Sequence, residues 1–130
     1  MISFDIMKNL MKCFPGSFIN EHGEFIAHEK ANQYFNLSNC ETELDVKCKV
    51  LEWFSRAAFK TEFCRNPHSN NLFRGFMLNG INDFLGTKFD TEIMREIYIN
   101  IGNCCNHEKT IRFIESGYDL EMLQEETPCE

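Results

Sequence analysis

The sequence predicts an α+β fold that is mostly helical, with an N-terminal helix and a small β-hairpin packed on a body of about four helices. Three observations predict it. Apolar residues recur at three- and four-residue spacing through most of the chain after residue 41. Only 3 Pro and 7 Gly interrupt 130 residues, which leaves room for uninterrupted helices. The one stretch of short Phe-Ile pairs around a polar turn is confined to 17–37. A chain of this length buries a real core, and 13 Phe against 3 Tyr and 1 Trp make that core aromatic, because Phe has no polar group to keep at the surface. The expected organisation is one globular domain over 1–124, with a hairpin region at 17–37, a helical body at 41–117, and an acidic, frayed tail at 125–130.

Taken in order, Ile2, Phe4, Ile6, Met7, Leu10, Met11 and Phe14 share a helical face that Pro15-Gly16 ends. Asp5, Lys8 and Lys12 interrupt its apolar character, so it reads as an amphipathic helix and as neither a secretory signal nor a membrane span. Ser17 to His28 reads as a hairpin whose polar turn ends in Gly23, and Tyr34 to Leu37 as a short third strand. Thr42 and Asp45 form a capping box with the shorter acid. From there Leu44, Cys48, Leu51 and Ser55 share a face that Val46, Val50, Trp53 and Ala57 widen, which suggests a central helix packed on two sides. Cys64 to Asn71, containing Asn66-Pro67, reads as a loop.

A second long helix is expected from about Asn71 to Leu85, with Gly80 on its apolar face for close approach and Gly86 as its left-handed terminator. A third starts at the N-cap Asp90, buries Ile93, Met94, Ile97 and Ile101, and ends at Gly102. A fourth runs from about His107 to Ser116, presents Ile111 and Ile114, and stops at Gly117. Asp119 to Gln124 adds a closing turn.

The formal net charge of −7 is unevenly placed: residues 115–130 carry six acids and no Lys or Arg, so the rest of the chain is nearly neutral. Such a segment is either a solvated tail or a surface for a basic partner. Seven Cys, an odd number with no secretory signal, argue for free thiols in a reducing cytoplasm. Cys104-Cys105-Asn106-His107 and the Cys64/His68 pair are the places where metal chemistry would sit, but neither has the paired spacing of a structural zinc site. Cys64 and His68 flank Pro67, so a helical i,i+4 dyad for nucleophilic catalysis is not assured. No phosphate-binding glycine loop, H-E-x-x-H or G-x-S-x-G is present. No catalytic residue, metal or cofactor is assigned.

The pair of helices over 91–116 has the outline of a helix-turn-helix, with Lys109, Thr110 and Arg112 expected on the outside of the second helix. Two cations are few for a module that neutralises phosphates, and the acids that follow would repel DNA. Direct nucleic-acid binding is therefore not expected, and an αα-hairpin serving the core is the plainer reading. Whole-surface mimicry of DNA is also a poor fit to a nearly neutral body.

Two stretches, Asn32 to Phe63 (containing Y-F-N-L-S-N-C-E-T-E-L-D-V-K-C-K-V-L-E-W-F-S-R-A-A) and Asn79 to Leu123 (containing G-I-N-D-F-L-G-T and R-F-I-E-S-G-Y-D-L-E-M-L), together resemble small accessory proteins of phages and conjugative elements of low-GC Gram-positive bacteria. That resemblance brings no assigned reaction, so no residue takes a role from it. It implies a setting, a mobile element in a bacterial cytoplasm, where small acidic proteins disable host defence machinery or regulate the element's genes.

The leading expectation is a non-enzymatic inhibitor that binds a host defence protein, with a CRISPR effector nuclease (a Cas nuclease) as target, which would make it an anti-CRISPR protein. The alternative is a small DNA-associated transcriptional regulator built on 91–116. The expected partner-binding residues are Glu115, Asp119, Glu121, Glu125 and Glu126 at the acidic end, with Arg65, Asn70, Asn71 and Arg74 in and after the polar loop. No membrane contact is expected. A homodimer stays open, because so many Phe leave enough for a surface patch.

Overall fold

A computed structural model describes residues 2–28, 34–59, 77–102 and 107–124. The fold is α+β and mostly helical, with a small antiparallel sheet beside the N-terminal helix.

Helix α1 covers Phe4–Cys13, opened by Ser3, whose hydroxyl accepts from the Ile6 N–H at 3.3 Å. Leu10 and, just past the helix, Phe14 are buried, whereas Phe4 is 69% exposed. Phe4, expected on the apolar face, lies six positions before Leu10 and falls outside the stripe that Leu10 and Phe14 set. Strands β1 (Phe18–Ile19), β2 (Glu24–Ile26) and β3 (Tyr34–Asn36) pair in that order, antiparallel, with Phe25 opposite Phe35. The turn between β1 and β2 is organised by Asn20, whose side-chain oxygen accepts from the His22 and Glu24 N–H groups, while Gly23 takes φ +77°. Leu37 does not extend β3. It opens a single 3₁₀ turn, Leu37–Asn39, because the Asn36 side chain caps it by accepting from the Ser38 N–H at 2.7 Å.

Helix α2, Glu43–Phe59, is the centre of the molecule. Its capping box closes in both directions: Thr42 Oγ1 accepts from the Asp45 N–H at 3.2 Å, and Asp45 Oδ2 accepts from the N–H groups of Thr42 (3.1 Å) and Glu41 (2.9 Å). Val46, Cys48, Val50, Leu51, Phe54 and Ser55 are all fully buried, so the helix is covered on two sides as its wide stripe suggests. Trp53 is the correction. It reaches the surface at 37% exposure, with the Arg56 guanidinium 5.7 Å from its ring centre.

On one side of α2, the rings of Phe14, Phe25, Phe35 and Phe54 form a closed set with centroid separations of 5.3–5.8 Å. Helix α3, described over Leu78–Leu85, packs on α1 there. A Cβ on Gly80 would lie 2.5 Å from the Phe14 ring and 2.9 Å from the Cys13 carbonyl, so the expected close approach is real. Gly86, φ +72°, ends α3, and its N–H and that of Thr87 both bond the Asn82 carbonyl. The expected start of this helix near Asn71 and the loop at 64–71 lie outside the described residues.

On the other side of α2 lie α4 (Thr91–Ile97), a π-helical stretch (Tyr98–Gly102) and α5 (His107–Glu115). Asp90 caps α4 as expected, accepting from the Ile93 N–H at 2.8 Å. The described helical run reaches Gly102 as expected, and Gly102 is also a contact point, because a Cβ there would sit 2.7 Å from Ser55 Oγ on α2. In α5, Lys109 and Thr110 are buried at 4% and 0% exposure beside Phe113, against the expectation that they face outward; Ile111 and Ile114 are only partly covered. The aliphatic stem of Lys109 lies inside while its ammonium reaches the Asn100 side-chain oxygen at 3.5 Å. Gly117 (φ +79°) and Tyr118 (φ +64°) then reverse the chain into the one-turn helix α6, Leu120–Leu123. The Tyr118 ring holds that reversal by packing edge-on to Phe89 and Phe113. No helix among the described residues is long and apolar enough to cross a membrane.

Candidate functional site

Between α4 and α6 the surface opens into a cleft of about 430 Å³ lined by Glu92, Ile93, Arg95, Glu96, Ile99, Leu120, Leu123 and Gln124. Its volume lies in the range of ligand-sized sites. One wall is a continuous helical face: 92, 93, 96 and 99 follow the i, i+1, i+4, i+7 pattern across α4 and the π-helical stretch. The other wall is α6, whose turn is built by local bonds. Ser116 Oγ accepts from the Asp119 N–H at 3.2 Å and donates to the Phe113 carbonyl, and Asp119 Oδ1 accepts from the Glu121 N–H at 3.0 Å. The floor is Leu123, fully buried; Ile99 and Leu120 stand at the lips, 45% and 38% exposed.

Two acids, Glu92 and Glu96, line this partly apolar cleft together with Arg95. In sequence, the segments 90–102 and 115–124 carry Asp90, Glu92, Glu96, Glu115, Asp119 and Glu121 with one cation, Arg95. Glu92 and Glu96 are one turn apart on the same wall and make no ion pair among the described residues. Like charges at this spacing cost an isolated helix about 0.2–0.5 kcal/mol. A partner's cation would offset that cost.

Of the expected partner-binding residues, Glu115, Asp119 and Glu121 are described but do not line the cleft. Asp119 is partly committed to the α6 cap, which leaves Glu115 and Glu121 as the exposed, uncommitted acids of the three. Glu125, Glu126, Arg65, Asn70, Asn71 and Arg74 lie outside the described residues. Glu92, Glu96, Ile99, Leu120 and Leu123 were not singled out by sequence. The available signal was the pair of like charges at i,i+4, together with Ile99 and Leu120 sitting off the inward faces of their helices.

A second cluster joins α2 to the ends of the segment around 103–106. Glu52 Oε1 and His107 Nδ1 are 2.8 Å apart, and Arg56 Nε donates to the Gly102 carbonyl at 3.2 Å. His107 is thus engaged with a carboxylate. Cys104, Cys105, Cys64 and His68 lie outside the described residues, and among those described no three His, Cys, Asp or Glu side chains are gathered to hold a metal. Cys40 and Cys48 are fully buried. Burial, followed by the charge of Glu52, pushes the Cys48 thiol up to about 12, and burial raises Cys40 as well. Neither is a nucleophile near neutral pH.

The buried face of α5 also bears on the DNA-reading geometry. With Lys109 and Thr110 turned inward, Arg112 is the exposed member of the trio expected to read a groove. Compared with known proteins, the chain matches no family model, no curated protein and no solved structure.

Proposed function

We propose that this chain is a non-enzymatic binding protein that disables a host defence protein by covering a basic, nucleic-acid-binding surface on it. A CRISPR effector nuclease is the target class that joins a basic channel to the mobile-element setting implied by the sequence resemblance. The observation that supports this reading is the pair of α4 carboxylates, Glu92 and Glu96, beside the exposed apolar residues Ile99 and Leu120 in one cleft. Charge complementarity of that kind speeds encounter and fixes orientation, and the apolar lips supply the desolvated contact that affinity needs.

The test is cleavage of a target duplex by guide-loaded effector nucleases in the presence of increasing amounts of the purified chain. We expect one nuclease class to be inhibited near one-to-one stoichiometry. The double variant Glu92→Lys/Glu96→Lys should need at least ~10-fold more protein for the same inhibition, on the scale of a lost charged hot spot. Full activity of every effector tested, with no protection of phage in infected cells, would sink the proposal.

A further inference from the structure

Resting on the proposed binding role of the cleft, we infer that its occupant is an amphipathic, Lys/Arg-rich α-helix of the partner, seated between α4 and α6. Backbone chemistry argues for a helix. Both walls are helical, so neither presents a strand edge. An extended peptide laid there would find no sheet edge and would leave its own N–H and C=O groups without partners wherever the cleft excludes water. A helix arrives with those groups already paired and needs to supply only side chains. The cleft fits them: Leu123 forms the floor, and the exposed lips Ile99 and Leu120 stand on opposite walls, ready to clasp apolar anchors at i and i+3 or i+4.

Charge argues for a basic helix. Glu92 and Glu96 lie on the α4 wall, so cations on that flank of the entering helix meet carboxylates, while the α6 wall offers Leu120, Leu123 and the neutral Gln124. Arg95, on the same wall, sets the register by demanding an acidic or neutral residue at one flanking position. The chain's own tail from Glu125 is acidic and would face like charge in this cleft.

The probe is a fluorescein-labelled peptide of about 14 residues, roughly four helical turns, with Leu on one face and Lys on the other. A scrambled peptide of equal composition and no apolar face is its control. The folded whole chain should bind the patterned peptide at least ~10-fold more tightly than the scrambled one, and the peptide should become helical on binding. Ile99→Ser and Leu120→Ser change half-covered residues, so each should keep the wild-type circular dichroism with a modestly lower melting temperature while affinity falls about tenfold. Equal affinity for both peptides, or unchanged affinity in both Ser variants, overturns the inference. Binding that appears only after deletion of 125–130 also overturns it, by making the tail the occupant. So does a wild-type dimer that Leu120→Ser dissociates, which makes a second copy the occupant. The two proposals separate cleanly: loss of nuclease inhibition in Leu120→Ser without peptide binding sinks the helix alone, whereas peptide binding with no nuclease inhibited sinks the defence-protein reading alone.

Discussion

Gly102 and Ser55 meet where the π-helical stretch crosses α2, and the contact is set by a single missing carbon. A Cβ at 102 would lie 2.7 Å from Ser55 Oγ, 3.3 Å from Tyr98 Cδ1 and 3.4 Å from the Arg56 nitrogen. Within a helix Gly→Ala ordinarily gains up to about 1 kcal/mol from backbone entropy. Here overpacking of about 1–3 kcal/mol outweighs it, so Gly102→Ala should lower stability in urea unfolding. Adding Ser55→Ala removes the closest clashing atom, and the double variant should recover most of that loss. Additive losses would show that the Ser55 contact does not limit the approach.

Among elements, α2 has the most explicit start signal, and a carboxylate takes part in it. Backbone hydrogen bonds from Glu41 and then Thr42 hold the Asp45 carboxyl below its ordinary value. A group depressed in the folded state stabilises above its unfolded pKa, about 3.9, and that contribution fades as pH falls through the lower folded value. Asp45→Asn should therefore be less stable than wild type near neutral pH, by about 1 kcal/mol as for a weakened cap. The gap should close as pH drops below the ordinary carboxylate range. A gap that is constant with pH would mean that charge has no part in the cap. The cap is legible because both partners lie within four residues of each other. The exposed Trp53 and buried Lys109 are not, because helical spacing shows which residues share a face but not which neighbour covers it.

At the scale of the molecule, α2 joins two aromatic clusters: Phe14, Phe25, Phe35 and Phe54 on one side, and Phe89, Phe113 and Tyr118 on the other. Phe54 belongs only to the first. Phe54→Ala should cost about 3–5 kcal/mol, a large share of the 5–15 kcal/mol typical of a whole domain. Because α2 packs on α3, α4, the π-helical stretch and α5, the loss should reach α5 as well as α1. Hydrogen exchange tests this: amides of α1 and α5 should lose protection in parallel. Unchanged protection in α5 would mean that the two sides unfold separately.

One or two turns of chain encode their own caps and stops. The Thr42/Asp45 box, the Asp90 cap, the Gly86 terminator and the Gly23 hairpin turn are all complete in local residues, and so was the mostly helical α+β class. The sequence also placed acid at the C-terminal end. What that end of the chain packs beside is set by tertiary structure. Glu92 and Glu96 are unremarkable charges on an amphipathic helix until the Gly117-Tyr118 reversal folds α6 over toward α4 and shares a cleft with them. The Arg56–Gly102 bond likewise spans 46 positions. Contacts of that range depend on how helices pack, a property of surfaces brought together from distant parts of the chain, and periodicity along the sequence carries no record of it.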